Sequence, residues 1–317
     1  MSAAVGVADR ETGAPLDDDI GMPGGSTGKT FAALLTLRLA EAGVLSLDDP
    51  ASKWLGDRPW FRKLPNAETM RIRHLLSHSS GLRDYPGTLA FNSGMLWRVL
   101  RHGSAYFTPE ELIDIADRGR PLFDAGAGYR YTDAGYLVLG RALEAAAGAS
   151  YYDLLRQHVL DPLGLDGIRP QTETAPRNIA TGYMGGGRGR NLKKDGRMKL
   201  DPRTEWTGGG LITTPTQLVA FFGAVHKHWP HHLAQMAAGG WRNPTAPDWH
   251  YGYGIFVDHD AGTLNHGGLW PGYRTRVMHV PETGLTIAVQ TNRDGRVDLR
   301  GLVGRISAQL RLAGSSN

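Results

Sequence analysis

Apolar residues follow two kinds of pattern that divide the chain. Between Phe31 and Ala40 they occur all round the helical period rather than on one stripe, which is typical of a helix surrounded by protein. We therefore predict a buried helix that begins at Ser26 and ends near Gly43, since glycine commonly terminates helices.

Further segments with helical spacing fall between about residues 50 and 205 and carry their own start and stop signals. They are Ile72 to His78, Pro109 to Arg118 with Thr108 as N-cap, Ala134 to Ala147 ended by Gly148, and Tyr151 to Leu160. These segments predict a mostly helical lobe over about residues 51–204. A capping box at Thr214-Pro215-Thr216-Gln217 predicts one more helix, from Leu218 to Val225.

β-Type alternation and turn residues appear at the beginning of the chain and again after residue 250. The predicted strands are Val5 to Asp9, Tyr251 to Val257, Thr263 to His266, Thr275 to Val280 and Leu285 to Thr291. The last four form an antiparallel meander, and the stripe from Leu299 to Leu310 predicts a final helix within Val297 to Leu312. We expect an α+β fold, one domain over residues 1–317, whose α/β lobe comprises about 1–50 and 205–317.

The composition is that of a globular protein and excludes several kinds of partner and catalytic group. Hydrophobic residues make up 41% of the 317 residues and charged residues 21%, which is ordinary for a globular protein. The formal net charge of +4 is too small to imply a nucleic-acid or membrane partner. The absence of cysteine excludes disulfides, thiol catalysis and cysteine-bound zinc.

Ser26 and Lys29 are the first candidates for chemistry. A spacing of three puts both side chains on one face of a helix. A serine hydroxyl needs a base to take its proton, and a lysine can serve if burial or nearby positive charge lowers its pKa. We expect such a lysine at the start of the buried helix.

The same stretch admits a rival interpretation. Gly28-Lys29-Thr30 matches the end of a phosphate-binding loop. Such a loop requires a glycine five positions before Gly28, and this chain has Pro23 there. The preceding segment contains Asp17, Asp18 and Asp19 instead of a hydrophobic strand, which argues against nucleotide binding.

Two more clusters follow in order, Tyr131-Thr132-Asp133 and His266-Gly267-Gly268. With Ser26-Thr27-Gly28-Lys29, the segment Ile72 to Leu82 and Gly208-Gly209-Gly210-Leu211, they span nearly the whole chain. In these motifs the chain resembles the serine β-lactamase and penicillin-binding-protein superfamily, in its class C β-lactamase and family VIII esterase branch.

The resemblance implies acyl transfer through a covalent ester on serine. Ser26 would attack a carbonyl, Lys29 would assist its deprotonation, and Tyr131 would pass the proton to the leaving group. The backbone N–H groups of Ser26 and Leu269 would form the oxyanion hole. This chemistry needs no metal and no organic cofactor.

Substrate contacts are predicted at Asp133, His266, Gly267, Gly268, Trp270 and Tyr183. Asp133 stands where the family usually has asparagine, and an ionised carboxylate cannot donate to a substrate amide carbonyl. His266 stands where many β-lactamases have lysine and would anchor a substrate carboxylate less strongly. Both departures favour a carboxylesterase for small esters, with a D-amino-acid peptidase or amidase, a β-lactamase or D,D-carboxypeptidase, or an acyltransferase as alternatives. A catalytically inactive binding module is a more distant one.

The remaining polar clusters are predicted to be structural. His74 and His78 lack the partners of a metal site, and the histidines around Trp229-Pro230 (His226, His228, His231 and His232) are interpreted as a solvated helix end. The basic loop from Arg188 to Arg203 is diluted by Asp195, Asp201 and Glu205 and is interpreted as a solvated loop.

Partners and location follow from the same observations. We expect a small ester or amide substrate, no nucleic acid and no membrane, with an exposed sheet edge that could pair two copies. The N-terminus has no apolar signal-peptide core, so the expected location is cytoplasmic or that of a mature secreted protein.

Overall fold

The protein combines antiparallel strands with helices, as expected for an α+β fold. The computed structural model describes residues 1–117, 119–295 and 297–314. Its strands are β1 (Met22–Pro23), β2 (Arg169–Pro170), β3 (Tyr183–Met184), β4 (Gly189–Arg190), β5 (Leu211–Thr213), β6 (Trp249–Tyr251), β7 (Phe256–Asp258), β8 (Thr263–Trp270), β9 (Tyr273–Val280) and β10 (Leu285–Thr291). Its helices are α1 (Gly28–Glu41), α2 (Ser52–Leu55), α3 (Pro59–Arg62), α4 (Ile72–Leu76), α5 (Leu89–His102), α6 (Pro109–Ala116), α7 (Asp133–Ala147), α8 (Tyr151–Leu155), α9 (Pro215–His228), α10 (Pro230–Ala238) and α11 (Leu299–Gly314).

The main sheet is antiparallel, with strand order β10-β9-β8-β7-β6. In β8 and β9 His266 pairs with Val277 and Trp270 with Tyr273, so the two strands are joined by a tight turn at Pro271-Gly272. Helices α9 and α11 pack against β9 and β10. The outer strands β6 and β10 form its two edges, and pairing of two copies through an exposed edge stays a prediction.

Helix α1 lies in the core and contacts α7, α8 and α10. Its residues from Gly28 to Leu37 are all buried, which accounts for apolar side chains all round it. The predicted start at Ser26 is wrong by two residues, because a 3₁₀ turn over Gly25–Thr27 precedes the α-helix. That turn, rather than α1 itself, holds Ser26.

The other helix predictions hold with local differences. Thr108 and Thr214 form the reciprocal hydrogen bonds of capping boxes at α6 and α9, and Gly148 ends α7 in the left-handed conformation. Helix α6 ends at Ala116, whereas the predicted end, Arg118, lies outside the described residues. The predicted helix from Tyr151 to Leu160 continues past α8 as a π-helical turn over Arg156–Leu160.

Two strand predictions are wrong. Val5 to Asp9 contributes only an isolated bridge between Val7 and Pro15, because Asp9 accepts hydrogen bonds from the backbone of Glu11 and Thr12 and turns the chain. The run from Tyr251 to Val257 is two strands, since the chain bends at Gly254, whose φ is +70°.

Among the described residues, none of the helices is both long enough and apolar enough to span a membrane.

Candidate active site

The turn that carries Ser26 is fixed by close backbone contact with β8. A Cβ on Gly25 would lie 2.5 Å from the backbone nitrogen of Leu269, and one on Gly268 would lie 1.9 Å from the carbonyl oxygen of Gly24. Neither position can hold a side chain without separating the two segments. The two nitrogens predicted to form the oxyanion hole, those of Ser26 and Leu269, therefore belong to segments in direct contact.

Lys29 lies one turn after Ser26 and is fully buried. Its Nζ donates to Ser26 Oγ at 3.1 Å, to Asp133 Oδ1 at 2.5 Å and to the carbonyl oxygen of Gly208 at 2.5 Å. An ammonium group has three hydrogens and no lone pair, so three acceptors satisfy it completely. The glycine-rich segment 208–210 thus contributes a direct contact to the lysine.

The charge of Lys29 corrects the sequence-based expectation of a lysine with a lowered pKa. Burial acts in that direction, but the carboxylate of Asp133 and the contact with Tyr131 outweigh it and raise the pKa of Lys29 above its usual value. Lys29 is therefore an ammonium ion at neutral pH. The sequence showed burial but not Asp133, which lies 104 positions away along the chain.

Tyr131 completes the group around the serine. Its hydroxyl interacts with both Ser26 and Lys29, and the Lys29 Nζ lies 5.1 Å from the centre of its ring. Burial raises the pKa of Tyr131 to about 12, although the Lys29 charge acts against this, so the hydroxyl is protonated at neutral pH. The buried ring of His78 packs on Tyr131 at 4.0 Å, and its Nδ1 accepts the N–H of Thr132. His78 thus holds the segment in place, in agreement with a structural role.

Two carboxyl groups near Lys29 were not recognised in the sequence. Asp84 accepts the backbone N–H groups of Asp133 and Ala134 at the start of α7, and burial together with the Asp133 charge raises its pKa to about 6. Glu205 was assigned to a solvated loop, but it is buried, and burial raises its pKa to about 8. Asp84 directly follows the Ser79-Ser80-Gly81-Leu82-Arg83 segment, which was the one available signal; Glu205 had none.

His266 supplies shape rather than charge. Its Nε2 lies 2.9 Å from the Tyr251 hydroxyl and its Nδ1 lies 2.7 Å from the carbonyl oxygen of Gly267. Burial lowers the pKa of His266 to about 3, so the ring is neutral at neutral pH. A neutral ring with both nitrogens already engaged is a weaker anchor for a substrate carboxylate than a lysine, and the role of His266 as a substrate contact stays a prediction.

A cavity of about 840 Å³ opens onto Ser26. Most of the predicted site residues line it, namely Ser26, Tyr131, Asp133, His266, Gly267, Gly268, Leu269 and Trp270. Its wall is largely apolar and includes Tyr85, Phe91 and Phe256.

Tyr183 lies elsewhere. It belongs to β3, where its hydroxyl accepts the backbone N–H of Arg10 and its ring contacts the Arg10 guanidinium. Its proximity to a glycine-rich segment reflects the β3–β4 hairpin, so the prediction that Tyr183 contacts substrate is not supported by its position.

Comparison with known proteins identifies related sequences and structures. The sequence matches the beta-lactamase family over residues 1–309. Esterase EstB of Burkholderia gladioli is 28% identical over 335 residues, which cover 91% of this chain and 81% of that protein. Penicillin-binding protein 4* of Bacillus subtilis is 25% identical over 298 residues, 85% of this chain but only 60% of the relative's length.

A solved structure adds a third relationship. The crystal structure of a D-stereospecific amidohydrolase from Streptomyces is similar to this chain with a TM-score of 0.74 and 26% sequence identity. The similarity covers 86% of this chain and 82% of the other. The fold class predicted from the sequence is confirmed.

Proposed function

Because the chain belongs to the beta-lactamase family, we propose that it is a serine hydrolase that forms an acyl-enzyme on Ser26, with small carboxylic esters as its preferred substrates. One observation carries this proposal. Ser26 Oγ lines the cavity and accepts a hydrogen bond from a buried lysine that is itself paired with a carboxylate.

The proton of Ser26 needs an acceptor, and Lys29 alone has no lone pair to offer. We assign this role to the Lys29–Asp133 pair. As Ser26 Oγ bonds to the acyl carbon, Lys29 passes one proton to Asp133 Oδ1 and its nitrogen accepts the serine proton. The 2.5 Å separation of Nζ and Oδ1 suits this transfer. At the end of this step Lys29 is again an ammonium ion and Asp133 carries the additional proton.

Tyr131 completes the acylation step. As the ester C–O bond breaks, its hydroxyl gives a proton to the leaving alkoxide, Lys29 returns a proton to Tyr131, and Asp133 returns one to Lys29. The serine proton has then left with the alcohol, and all three side chains have regained their starting charges. Water hydrolyses the acyl-enzyme through the same groups, restoring the Ser26 hydroxyl.

Negative charge on the carbonyl oxygen would be stabilised by the backbone N–H groups of Ser26 and Leu269. The contact between Gly25 and Leu269 supports this assignment, because it holds together the two segments that carry these N–H groups, and rigidly held donors need little reorganisation during a reaction.

The cavity supports esters with an apolar acyl or alkoxy group. Aromatic side chains from Tyr85, Phe91, Phe256 and Trp270 line it, and such surfaces stabilise apolar groups by removing them from water. The ionised side chain of Asp133 can accept hydrogen bonds but cannot donate one to a substrate carbonyl group. An ester also lacks the N–H group of an amide, so it requires no hydrogen-bond acceptor in the site.

Amide substrates with a free amine are the second candidate. The Asp133 side chain is 24% exposed and lines the cavity, so a carboxylate oxygen could accept hydrogen bonds from a substrate ammonium group. The similarity to a D-stereospecific amidohydrolase also supports this alternative.

Intact-mass spectrometry of the acyl-enzyme tests the proposal. The protein, Ser26→Ala and a control variant, Ser93→Ala, are mixed with short-chain nitrophenyl esters, D-amino-acid amides and nitrocefin. Ser93 is exposed on α5 and does not line the cavity. We expect an acyl adduct on the protein and on Ser93→Ala, fastest with the short-chain esters, and none on Ser26→Ala.

The other outcomes separate the alternatives. Faster labelling by D-amino-acid amides or by nitrocefin would replace the ester assignment while retaining Ser26 as nucleophile. An adduct on Ser26→Ala would show that another nucleophile is acylated and would reject the mechanism. Failure of a fluorophosphonate to modify Ser26 in the unaltered protein would favour a binding module.

A further inference from the structure

A cluster of metal-ligating side chains lies where α1 ends and α10 begins. Glu41 is the last residue of α1, and His231 and His232 belong to the first turn of α10. Their ligand atoms all lie within 4.8 Å of one another. Helix geometry places Glu41 about 18 Å along α1 from Lys29, so the cluster is separate from the active site.

From this arrangement we infer that Glu41, His231 and His232 form a binding site for a divalent transition-metal ion such as Zn²⁺. Imidazole nitrogen and carboxylate oxygen are ligands that Zn²⁺ takes, and three protein ligands leave a fourth position for water.

The distances fit a tetrahedral ion. Glu41 Oε1 lies 3.4 Å from His231 Nε2, and Glu41 Oε2 lies 3.5 Å from His232 Nε2. Bonds of about 2.0–2.1 Å at tetrahedral angles separate neighbouring ligands by about 3.4 Å. Small side-chain rotations would bring one nitrogen of each histidine and one Glu41 oxygen around a common ion.

His232 provides an independent observation. It is only 1% exposed, yet neither of its ring nitrogens makes a hydrogen bond to any described residue. A buried polar group without a partner costs free energy, and such groups call for an explanation. Its two unpartnered ring nitrogens are therefore available to a metal ion.

The surroundings allow an ion to enter. The side chains of His231 and Glu41 are 59% and 48% exposed, so both are accessible from solvent. Arg38 also pairs with Glu41 and stacks on Trp229, and its positive charge would weaken the binding of a cation. We therefore expect micromolar affinity rather than the very tight binding of a fully buried site.

The ion would fasten two helices together. Because α1 carries Lys29 and borders the Ser26 turn, a link between its far end and α10 would stabilise the folded protein without taking part in the reaction. The interpretation of these histidines as a solvated helix end is thereby restricted to His226 and His228, which lie outside the cluster.

Calorimetric titration with ZnCl₂ tests the site on the full chain after treatment with EDTA and exchange into metal-free buffer. The variants are His231→Ala and Glu41→Gln, which alter exposed side chains and leave the buried His232 in place. The control is His228→Ala, which removes an exposed histidine from the same histidine-rich segment. MgCl₂ serves as a control for a metal that prefers oxygen ligands.

We expect one Zn²⁺ per chain in the unaltered protein and in His228→Ala, and binding weaker by about tenfold or more in His231→Ala and Glu41→Gln. Bound Co²⁺ should give the intense visible absorption of a tetrahedral site, and Mg²⁺ should not bind. Zn²⁺ should raise the melting temperature of the unaltered protein and of His228→Ala, but not that of His231→Ala or Glu41→Gln.

Unchanged affinity in His231→Ala and Glu41→Gln, or equal loss in His228→Ala, would show adventitious binding to surface histidines and overturn the inference. Circular dichroism of each variant verifies that it is folded. Esterase activity is not part of the readout, so this test and that of the proposed function fail independently.

Discussion

The Lys29 ammonium donates to Ser26, Asp133 and Gly208, and in the proposed mechanism Asp133 receives the proton that Lys29 gives up when Ser26 is deprotonated. In Asp133→Asn the amide oxygen can still accept from Lys29, but the negative charge that raises the lysine pKa is gone. We expect kcat at neutral pH to fall by about 10²-fold or more, because general-base catalysis contributes factors of this size.

The dependence of kcat on pH in Asp133→Asn shows whether Asp133 takes part in proton transfer or only holds Lys29 in position. Without a carboxylate to receive a proton, Lys29 becomes a base only where its own amine is uncharged, so kcat should rise with pH into the alkaline range while KM changes little. The unaltered protein should have a flat profile there. Equal profiles for the two proteins would refute the role of the Lys29–Asp133 pair.

Tyr131 yields a prediction that depends on the leaving group. Tyr131→Phe keeps the ring that packs on His78 and removes the hydroxyl, so the fold should be retained. An alkoxide needs a proton to depart, whereas a nitrophenolate does not. We expect kcat to fall by about 10²–10³-fold for ethyl esters and by much less for nitrophenyl esters.

Tyr129→Phe is the matched control, since Tyr129 is a neighbouring tyrosine whose ring contacts His78. It should hydrolyse both kinds of ester at the normal rate. If Tyr131→Phe slowed both substrates equally, Tyr131 would be a positioning residue and not the acid.

At the scale of elements, two adjacent glycines of β8 differ in how closely they approach the Ser26 turn. A Cβ at Gly268 would meet the carbonyl oxygen of Gly24 at 1.9 Å, whereas one at Gly267 would meet nothing closer than 3.6 Å. We expect Gly268→Ala to abolish most acyl-enzyme formation and to lower the melting temperature, because β8 must move away from Ser26.

Gly267→Ala is the matched control and should retain its melting temperature and its ability to form the acyl-enzyme. Circular dichroism and single-turnover acylation of the two variants provide the comparison. Similar behaviour of both would show that the close approach does not set the geometry of the site.

Local signals identified the elements whose ends are marked by side chains. Thr108 and Thr214 are such cases, because a capping box is complete within four residues of sequence. Helix α5 was not predicted. Phe91 is buried, whereas Leu96 and Leu100 on the opposite face of α5 are exposed. The apolar residues of this helix are therefore not confined to one stripe.

Contacts between distant segments could not be predicted in the same way. The motifs indicated Ser26, Lys29 and Tyr131 together. In the structure Ser26 and Tyr131 line the cavity, and Lys29 is buried beside them. The ion pair of Lys29 with Asp133 and the burial of Glu205 depend on how α1, α7 and the 202–208 segment pack. Burial alone predicted a lowered lysine pKa, and the opposite direction follows from a charge supplied by the tertiary fold.

At the scale of the whole molecule, Glu205 couples the stability of the fold to pH. Burial raises its pKa from 4.5 to about 8, so the folded protein retains a proton that the unfolded chain has already released. The stabilisation from this group is complete below pH 4.5 and is lost as the pH rises to about 8. Glu205→Gln keeps a neutral side chain at every pH and should not show this loss.

The free energy of unfolding of Glu205→Gln should therefore rise relative to that of the unaltered protein by up to about 1.4 kcal/mol per pH unit within this window. Asp84 also has a raised pKa, but it is present in both proteins and cancels in the difference. Urea denaturation at a series of pH values measures the effect, with Glu173→Gln as control because Glu173 is exposed.

A constant difference between the free energies of unfolding of Glu205→Gln and the unaltered protein would mean that Glu205 is ionised in the folded state. Lys29 would then have two carboxylate neighbours, and the assignment of Asp133 as its partner in proton transfer would have to include Glu205.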